Sequence, residues 1–317
     1  MLLQKIESIY QIGGLKLVVL KIKDELFKTD SGKWYEYHIF ESADPKDYPH
    51  LLKSWFRMET GENLDLENPR TFNEKIQWLK LYDTTPLKTR LADKYLVQEW
   101  IKEKIGEKYL IPLLGVWDQF DDIDFDLLPD QFVLKCNHGC GCNMIVKDKS
   151  TFDRKEAKKN FDEWMKTNYA FVYGLELQYK DIPPKIICEK YIEQTNKDIY
   201  DYKISCFDGQ PKFLWVDSDR YANHSRCLYD LNWNKLPFEI NSYYPQKEFE
   251  RPADLDEMIH LARVLSEGFA YVRVDLYYCE GKIYFGEMTF TSASGTEDIM
   301  PTEWRYKLGD LIQLPLN

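Results

Sequence analysis

Two acidic side chains and one arginine near the end of the chain have the spacing of a cross-strand cluster. The segment VRVDLYYCEGKIYFGEMT predicts two strands around a turn at Glu280-Gly281. Asp275 and Glu287 are each six positions from Gly281, so on paired strands they face each other, with Arg273 on the same face. Such a cluster suits Mg²⁺, which takes a few carboxylates and keeps phosphate oxygens of its substrate. The alternative is an exposed cluster of opposite charges on a sheet surface.

A glycine-containing loop in the middle of the chain could bind either phosphate or a metal ion. In FVLKCNHGCGCNMIVKD, Gly139, Gly141 and Asn143 follow Lys135 and lie between two predicted strands. Phosphate binding needs a lysine at a strand end, followed by small residues whose backbone amides can turn toward oxygen. Zinc is the alternative, because His138 and three cysteines stand at alternate positions. Structural zinc sites usually draw two pairs of ligands from separate turns, and the sequence has no second such pair.

The composition predicts a folded, acidic protein. The chain has 317 residues, of which 44% are hydrophobic, and a formal net charge of −11. This length can bury a substantial core, and the acidic balance argues against a general nucleic-acid binder. Seven cysteines without framework spacing, and a start that does not resemble a cleavable signal, predict free thiols and a cytoplasmic location.

Helices and glycine-turn hairpins must position these residues. Helical periodicity covers about residues 50–80, where Thr71 and Glu74 have the spacing of a capping box. A second helix is expected over 89–104. Later in the chain, Asp208-Gly209 between two alternating apolar runs predicts a hairpin. Sheets bounded by helices predict an α+β, or mixed α/β, protein.

The first part of the chain contains an apolar run, residues 11–28, that is interrupted by Lys16, Lys21 and Lys23. The run is too short to span a bilayer. The simpler interpretation is a helix that faces the protein core. The alternative is peripheral association with the inner face of a membrane through this helix.

Seven motifs follow one another in series along most of the chain. They are NPRTFNEKIQWLKLYD, LADKY, YLIPLLGVW, LPDQFVLKCNHGCG, IICEKYIE, DYKISCFDG and VRVDLYYCEGKIYFGEMTFTSASG. Together they resemble the ATP-grasp superfamily, and more closely its TupA-like branch, which is associated with bacterial surface polysaccharide and teichuronopeptide biosynthesis. The resemblance extends from about Leu64 to Leu314. It implies an ATP-grasp fold, in which a nucleotide is held between two α+β subdomains.

The resemblance also implies residues that would bind ATP. Lys94 in LADKY and Lys135 in FVLKC would neutralise the phosphates, and the loop from Gly139 to Asn143 would be the flap that closes on them. The residues of the hinge that would read the adenine edge are Glu189, Lys190, Tyr191 and Ile192, with Glu193 for the ribose.

The same resemblance assigns the acidic hairpin to metal and phosphate. Arg273 would contact phosphate, and Asp275 and Glu287 would bind Mg²⁺. Many ATP-grasp enzymes have asparagine two positions after the glutamate, whereas this chain has Thr289, whose hydroxyl is a weaker ligand. The loop from Thr289 to Gly295 would hold the substrate.

Two further residues have open roles. Lys203 in DYK would lie near phosphate or near the donor carboxylate, and the alternative is an exposed lysine on a strand. His138, beside the flap, is free to act on substrate, and the alternative is a buried, hydrogen-bonded histidine.

The resemblance implies that γ-phosphoryl transfer from ATP activates a carboxylate, and that an amine then attacks the acyl phosphate. We therefore expect an ATP-dependent carboxylate–amine ligase that forms an amide on a hexuronate, a small-molecule or glycan carboxylate, in capsular or other surface polysaccharide biosynthesis. The alternatives are a glycosyltransferase-like or kinase-like enzyme of polysaccharide assembly, and a zinc-binding module without catalysis. The expected subdomains are 1–110, 111–192 and 193–317, and the oligomeric state stays open.

Overall fold

The first part of the chain folds into helices. The structure, a computed structural model, describes residues 2–192, 200–218, 224–241, 245 and 247–315. In chain order the first helices are α1 (Leu2–Phe27), α2 (Ser31–Ser42), α3 (Tyr48–Thr60), α4 (Phe72–Tyr82), α5 (Pro86–Ala92) and α6 (Val97–Lys104). α1 bends at Gly13 and Gly14, where the φ of Gly14 is 62°. Its inner face packs on α2 and α3, so residues 11–28 do contribute to the core. Within the described ranges, no helix combines the length and apolar character that crossing a membrane requires.

The capping box expected at the start of α4 is confirmed. The Thr71 hydroxyl accepts a hydrogen bond from the Glu74 backbone amide at 3.3 Å, and the Glu74 carboxylate accepts one from the Thr71 amide at 2.9 Å. These two bonds satisfy backbone donors that a helix start leaves unpaired. Phe72, Ile76 and Leu79 then pack into the core.

The single helix expected over residues 89–104 is wrong, because α5 ends before Asp93 and α6 begins at Val97. The Asp93 carboxylate accepts hydrogen bonds from the amides of Tyr95 at 2.8 Å and Leu96 at 3.2 Å. A side chain that bonds nearby amides in this way competes with the helical hydrogen bonds. The break leaves Lys94 outside both helices.

The middle of the chain forms a four-stranded antiparallel sheet. Its elements are β1 (Leu113–Trp117), β2 (Phe132–Cys136), β3 (Asn143–Val146), α7 (Arg154–Trp164) and β4 (Ile186–Lys190). The strand order is β1-β4-β2-β3, so β2 and β4 are central. Ala157 and Phe161 of α7 pack against Phe132 and Leu134 of β2. The strand–loop–strand pattern predicted around the glycines is confirmed by the β2–β3 pairing.

The last part of the chain forms a five-stranded antiparallel sheet with the order β10-β9-β5-β6-β7. Its elements and those beside it are β5 (Tyr200–Phe207), β6 (Gln210–Ser218), β7 (Ser225–Asp230), β8 (Glu239–Ile240), α8 (Leu255–Ser266), β9 (Tyr271–Cys279), β10 (Lys282–Thr289), β11 (Ile299–Met300) and α9 (Glu303–Asp310). The hairpin predicted at Asp208-Gly209 joins β5 to β6, and both turn residues have positive φ, which favours glycine at the second position. β8 and β11 pair separately.

The two faces of this five-stranded sheet differ in chemistry. Ile204, Cys206, Val272 and Val274 lie on the face that α8 covers. The alternating positions of the opposite face are also buried, yet they are largely polar. They include Asp201, Lys203, Ser205, Asp217, Arg226, Arg273 and Asp275. Because buried charges must be paired, this polar face must carry an ion network.

The expected subdomain boundaries stay predictions. The four-stranded sheet lies within 113–190, and the five-stranded sheet lies within 200–289. Between them, residues 193–199, which include Glu193, lie outside the described residues.

Candidate nucleotide and metal site

The pairing of Asp275 with Glu287 across β9 and β10 is confirmed, although a bulge produces it. Near the turn, Phe285 pairs with Leu276, and continuing that register would place Val274 opposite Glu287. The register shifts by one residue at Gly286, which brings Asp275 into line. A side chain at Gly286 would lie 3.0 Å from the Asp275 carbonyl oxygen. Counting positions from Gly281 therefore predicted the correct pair of residues, although it did not predict the bulge that brings them opposite each other.

Arg273 holds this acidic pair together. Its guanidinium donates to both oxygens of Asp275, at 2.6 and 2.7 Å, and lies 3.5 Å from Glu287. It also donates to the Thr289 hydroxyl at 3.0 Å. Burial lowers the pKa of Arg273, but the charge and hydrogen bonds of Asp275 outweigh it, so the pKa is raised and the guanidinium stays charged. Arg273 and Asp275 are buried on the polar sheet face, and Glu287 is half-buried, so the cluster is not a fully exposed group of surface charges.

Lys94 joins the glycine loop to the acidic hairpin. Its backbone amide donates to the Asn137 carbonyl at 3.0 Å, and its ammonium donates to the Gly139 carbonyl at 2.6 Å. The same ammonium lies 3.7 Å from the Glu287 carboxylate. The break in the helix at Asp93 makes this reach possible. One cation thus contacts residues that are separated by more than a hundred positions in the sequence.

The other predicted cations are held by protein acids. The Lys135 ammonium on β2 hydrogen-bonds the Glu189 carboxylate on the neighbouring strand β4. Lys203 is 3% exposed, hydrogen-bonds Asp201 and lies 3.4 Å from Asp275. Lys203 is therefore not an exposed strand lysine. Together with the Arg273 contacts, these pairs give every predicted phosphate-binding cation an anion or carbonyl partner within the chain.

The hinge residues differ in whether their side chains and backbone amides have hydrogen-bond partners within the chain. The Glu189 carboxylate accepts a hydrogen bond from the Lys135 ammonium. The Lys190 backbone amide donates to the Pro112 carbonyl at 2.9 Å, because β4 lies between β1 and β2. Tyr191 and Ile192 follow the end of the strand. A cavity of about 600 Å³ beside them is lined by Lys190 and Ile192, among others. Lys94, Lys135 and Glu287 are not among the residues that line this cavity.

Within the loop, the two positions Gly139 and Gly141 require glycine for different reasons. A side chain at Gly139 would collide with the Tyr169 ring at 2.6 Å, and Gly141 has a φ of 77°. Asn143 is opposite Lys135 at the base of the loop, and its amide donates to the Gly141 carbonyl at 3.0 Å.

His138 and its neighbours Cys136, Cys140 and Cys142 lie within the four-stranded part of the molecule. His138 is buried, and its Nε2 donates to the Trp164 carbonyl at 3.2 Å. Burial lowers the pKa of His138, so it is neutral at neutral pH. This placement agrees with the alternative of a buried, hydrogen-bonded histidine. Among the residues that the structure describes, no three or more His, Cys, Asp or Glu side chains are arranged to share a metal ion.

Sequence reasoning missed two residues that adjoin this site, Gln77 and Lys80 of α4. Both contact Ser294, in the loop that the sequence assigned to substrate. Ser292 of the same loop accepts a hydrogen bond from Arg273 at 3.0 Å. The signal was present in NEKIQWLK, where Asn73, Gln77 and Lys80 recur at helical spacing and are polar inside a motif with an apolar period.

The chain has a four-stranded and a five-stranded α+β unit, and Lys94 contacts both the glycine loop of the first and Glu287 of the second. This architecture agrees with an ATP-grasp fold. The chain belongs to the TupA-like ATP-grasp family, whose sequence model matches residues 74–313. ATP-grasp enzymes as a class are ATP-dependent ligases. No curated protein sequence matches the chain significantly.

Solved structures with related folds are similar only at low identity. A D-alanine–D-alanine ligase from Bacillus anthracis in complex with ATP is 18% identical over 70% of this chain and 64% of that one, with a TM-score of 0.38. The ligase from Helicobacter pylori is 14% identical over 76% and 69%, with a TM-score of 0.38. An N5-carboxyaminoimidazole synthetase from Staphylococcus aureus in complex with ADP is 14% identical over 63% and 43%, with a TM-score of 0.34.

This chain spans 64–66% of the length of the Bacillus anthracis ligase structures. At these identities and TM-scores the structures add no argument about chemistry. The assignment therefore rests on the family model.

Proposed function

We propose that the chain is an ATP-dependent carboxylate–amine ligase whose phosphate and metal site lies between the glycine loop and the β9–β10 hairpin. The observation that supports it most is the position of Lys94, between the Gly139 carbonyl and the Glu287 carboxylate. A triphosphate that binds there would replace the protein oxygens that contact Lys94 and Lys135 in this structure. Phosphoryl transfer needs mainly such positioning and neutralisation of charge.

The proposed reaction has two steps. A carboxylate oxygen of the substrate attacks the γ-phosphorus of ATP, the bond to the β,γ-bridging oxygen breaks, and ADP leaves. The amine then attacks the acyl carbon, phosphate leaves with the bonding electrons, and the nitrogen loses a proton. Lys94 and Lys135 would neutralise the phosphates. Arg273 would contact phosphate, and Lys203 would lie near phosphate or near the donor carboxylate.

The donor set near Arg273 fits Mg²⁺ in its chemistry, because it offers two carboxylates on paired strands and one hydroxyl. Glu287 and Thr289 would hold the ion, since the Glu287 side chain is 33% exposed and lies 3.1 Å from the Thr289 hydroxyl. Asp275 would join them on release from Arg273, which binds both of its oxygens in this structure. The ion would supply charge neutralisation at the phosphate oxygens.

The proposed hinge for adenine is Tyr191 and Ile192, with Glu189 and Lys190 supporting it from β4. The proposed carboxylate is a sugar acid of the hexuronate class, used in cytoplasmic assembly of a surface polysaccharide. The resemblance to the TupA-like branch supports this choice of substrate. The buried Lys203 and Arg273, on one sheet face, support a carboxylate as the first substrate.

The experiment uses the full chain with Mg·ATP, D-glucuronate or D-galacturonate, and hydroxylamine as the amine. We expect ADP and a hydroxamate in equal amounts, only when the acid and ATP are both present. Release of ADP with a phosphorylated sugar but without hydroxamate would instead support the kinase-like alternative. Absence of ADP with every acid tried, from protein that binds Mg·ADP, would contradict the proposal.

We also propose that α1 lies on an anionic membrane surface. Leu15, Val19, Ile22 and Leu26 form an exposed apolar stripe at helical spacing, opposite the buried face of the helix. Lys16 and Lys23 are exposed beside it, although the whole chain is acidic. An apolar stripe beside lysines matches the interfacial region of an anionic bilayer.

Sedimentation with vesicles of phosphatidylcholine and phosphatidylglycerol tests this surface, against vesicles of phosphatidylcholine alone. We expect binding to the anionic vesicles and its loss in a Val19→Ser, Ile22→Ser variant, whereas Leu127→Ser, at another exposed leucine, should bind normally. Equal binding by all three proteins would contradict the proposal. So would a wild-type dimer that the double variant abolishes, because a second copy would then be the occupant.

A further inference from the structure

One of the buried faces of α4 is polar. Asn73, Gln77 and Lys80 recur at i, i+4 and i+7, which places them on one side of the helix. All three are buried, with 7%, 0% and 1% exposure. Buried polar side chains lower stability unless they are hydrogen-bonded, so this row needs a partner inside the molecule.

The partner is the segment that follows β10. Gln77 donates to the carbonyls of Ser294 and Gly295 at 2.8 and 2.9 Å. Asn73 donates to the Glu297 carbonyl at 2.8 Å. These contacts connect residues more than two hundred positions apart in the chain.

Lys80 makes the strongest of these contacts. Its ammonium donates to the Ser294 carbonyl at 3.1 Å, to the Ser294 hydroxyl at 2.8 Å and to the Tyr173 carbonyl at 3.3 Å. It also lies 4.6 Å from the centre of the Trp55 ring. These hydrogen-bond partners are all uncharged oxygens. Burial lowers the pKa of Lys80 to about 7, although the charge of buried Glu176 opposes this shift. Burying the ammonium therefore costs stability, and the charge of Glu176 offsets only part of that cost.

The segment that α4 holds has an unusual backbone. Ala293, Ser294 and Gly295 have consecutive positive φ values of 42°, 53° and 73°. Such a conformation is strained for non-glycine residues, and it persists only where surrounding contacts impose it. At Gly295, a side chain would lie 2.5 Å from the Gln77 amide nitrogen. Gln77 therefore excludes other residues there while it binds the backbone.

The same segment reaches the catalytic cluster through Ser292. Its hydroxyl accepts from the Arg273 guanidinium at 3.0 Å and donates to the Glu297 carboxylate at 2.7 Å. Arg273 in turn binds Asp275. α4 is thereby connected to the acidic hairpin through one strained turn.

We propose that Gln77 and Lys80 are positioning residues that hold residues 293–295 in their left-handed conformation, and so fix the part of the site that receives the carboxylate substrate. This inference rests on the proposed function, because the inference assigns the strained turn to the binding of the carboxylate substrate. Strain that is imposed by a distant helix, at a stability cost, suits a site that must be ordered before substrate binds.

The main test compares Lys80→Met with Lys75→Met. Lys75 lies on the same helix and also donates to a backbone carbonyl, that of Ile312 at 2.9 Å, away from the strained turn. We expect Lys80→Met to stay folded, with a melting temperature near or below that of wild type, because it removes a buried charge but also the positive charge next to buried Glu176. We expect its KM for D-glucuronate to rise about tenfold or more, with the KM for ATP unchanged, because charged hydrogen bonds are lost. Lys75→Met should keep both KM values.

Hydrogen exchange gives a second readout that needs no substrate. The Ser294 and Thr296 amides donate to the Thr291 and Ala293 carbonyls at 2.9 and 3.1 Å. In Lys80→Met and in the nearly isosteric Gln77→Glu, we expect both amides to exchange faster than in wild type, while β9 stays protected. Wild-type exchange rates in both variants, or an unchanged KM for D-glucuronate in Lys80→Met, would overturn the inference. If wild type forms no hydroxamate, the proposed function fails, and exchange alone decides whether α4 holds the turn.

Discussion

Replacing Glu287 with glutamine removes one negative charge from the site with little change in shape. The Glu287 side chain is 33% exposed, and its ion pairs with Arg273 and Lys94 are 3.5 and 3.7 Å long. Partly exposed pairs of this kind contribute about 0–1 kcal/mol each. We therefore expect the free energy of unfolding of the ligand-free variant to stay within about 1 kcal/mol of wild type.

The neighbouring acid would be a poor choice for this experiment. Asp275 is 4% exposed and binds Arg273 through both oxygens. Breaking a buried pair of this kind destabilises proteins by about 3–5 kcal/mol, which would mix folding with binding. Glu287→Gln separates the effect on ligand binding from the effect on folding.

The diagnostic effect is on nucleotide binding, measured by calorimetry with ADP at fixed Mg²⁺ and again with chelator. If Glu287 binds the ion, we expect the variant to bind Mg·ADP about 10–100-fold more weakly. Without metal, its affinity for ADP should instead rise, because a carboxylate that repels the phosphates is gone. Glu280→Gln, at the turn of the same hairpin, makes the same change in net charge and should alter neither value. A Glu287→Gln protein with the wild-type response to Mg²⁺ would refute the metal assignment.

Three further changes test other parts of the site. Lys94→Met should weaken ADP binding about 10–100-fold by calorimetry, because a charged contact is lost, whereas Lys185→Met at an exposed ion pair should have no effect; equal affinities would contradict the role of Lys94. Burial raises the pKa of Asp217, but Arg226 outweighs this and lowers the pKa to about 2, so the stabilisation is present above pH 3.8 and is lost as pH falls through 2. Arg226→Met should therefore lower the free energy of unfolding by about 3–5 kcal/mol at pH 7, and by less near pH 2, in urea titrations; a pH-independent difference would refute the pairing. Cys140→Ser should retain the wild-type melting temperature and ADP affinity, because this exposed thiol lies in a loop assigned to phosphate; a local collapse would favour zinc.

Local patterns in the sequence determined most of the elements. The capping box at Thr71, the hairpin at Asp208-Gly209 and the β2–β3 return all depend on residues within a few positions of one another. Their hydrogen bonds close short loops, so a short window of sequence contains the necessary information. The family motifs added the ATP-grasp fold, and the family model confirms that prediction.

Tertiary structure decided how the site is assembled. Asp93 ends a helix that periodicity alone would continue, and this break turns Lys94 toward Gly139, which is 45 positions later in the chain. Gly286 shifts the register that sets Asp275 against Glu287. The contact between Gln77 and Ser294 spans 217 positions. Helix and strand periods specify which side of an element a residue occupies, but which elements meet depends on packing of the whole chain, and no local pattern contains that information.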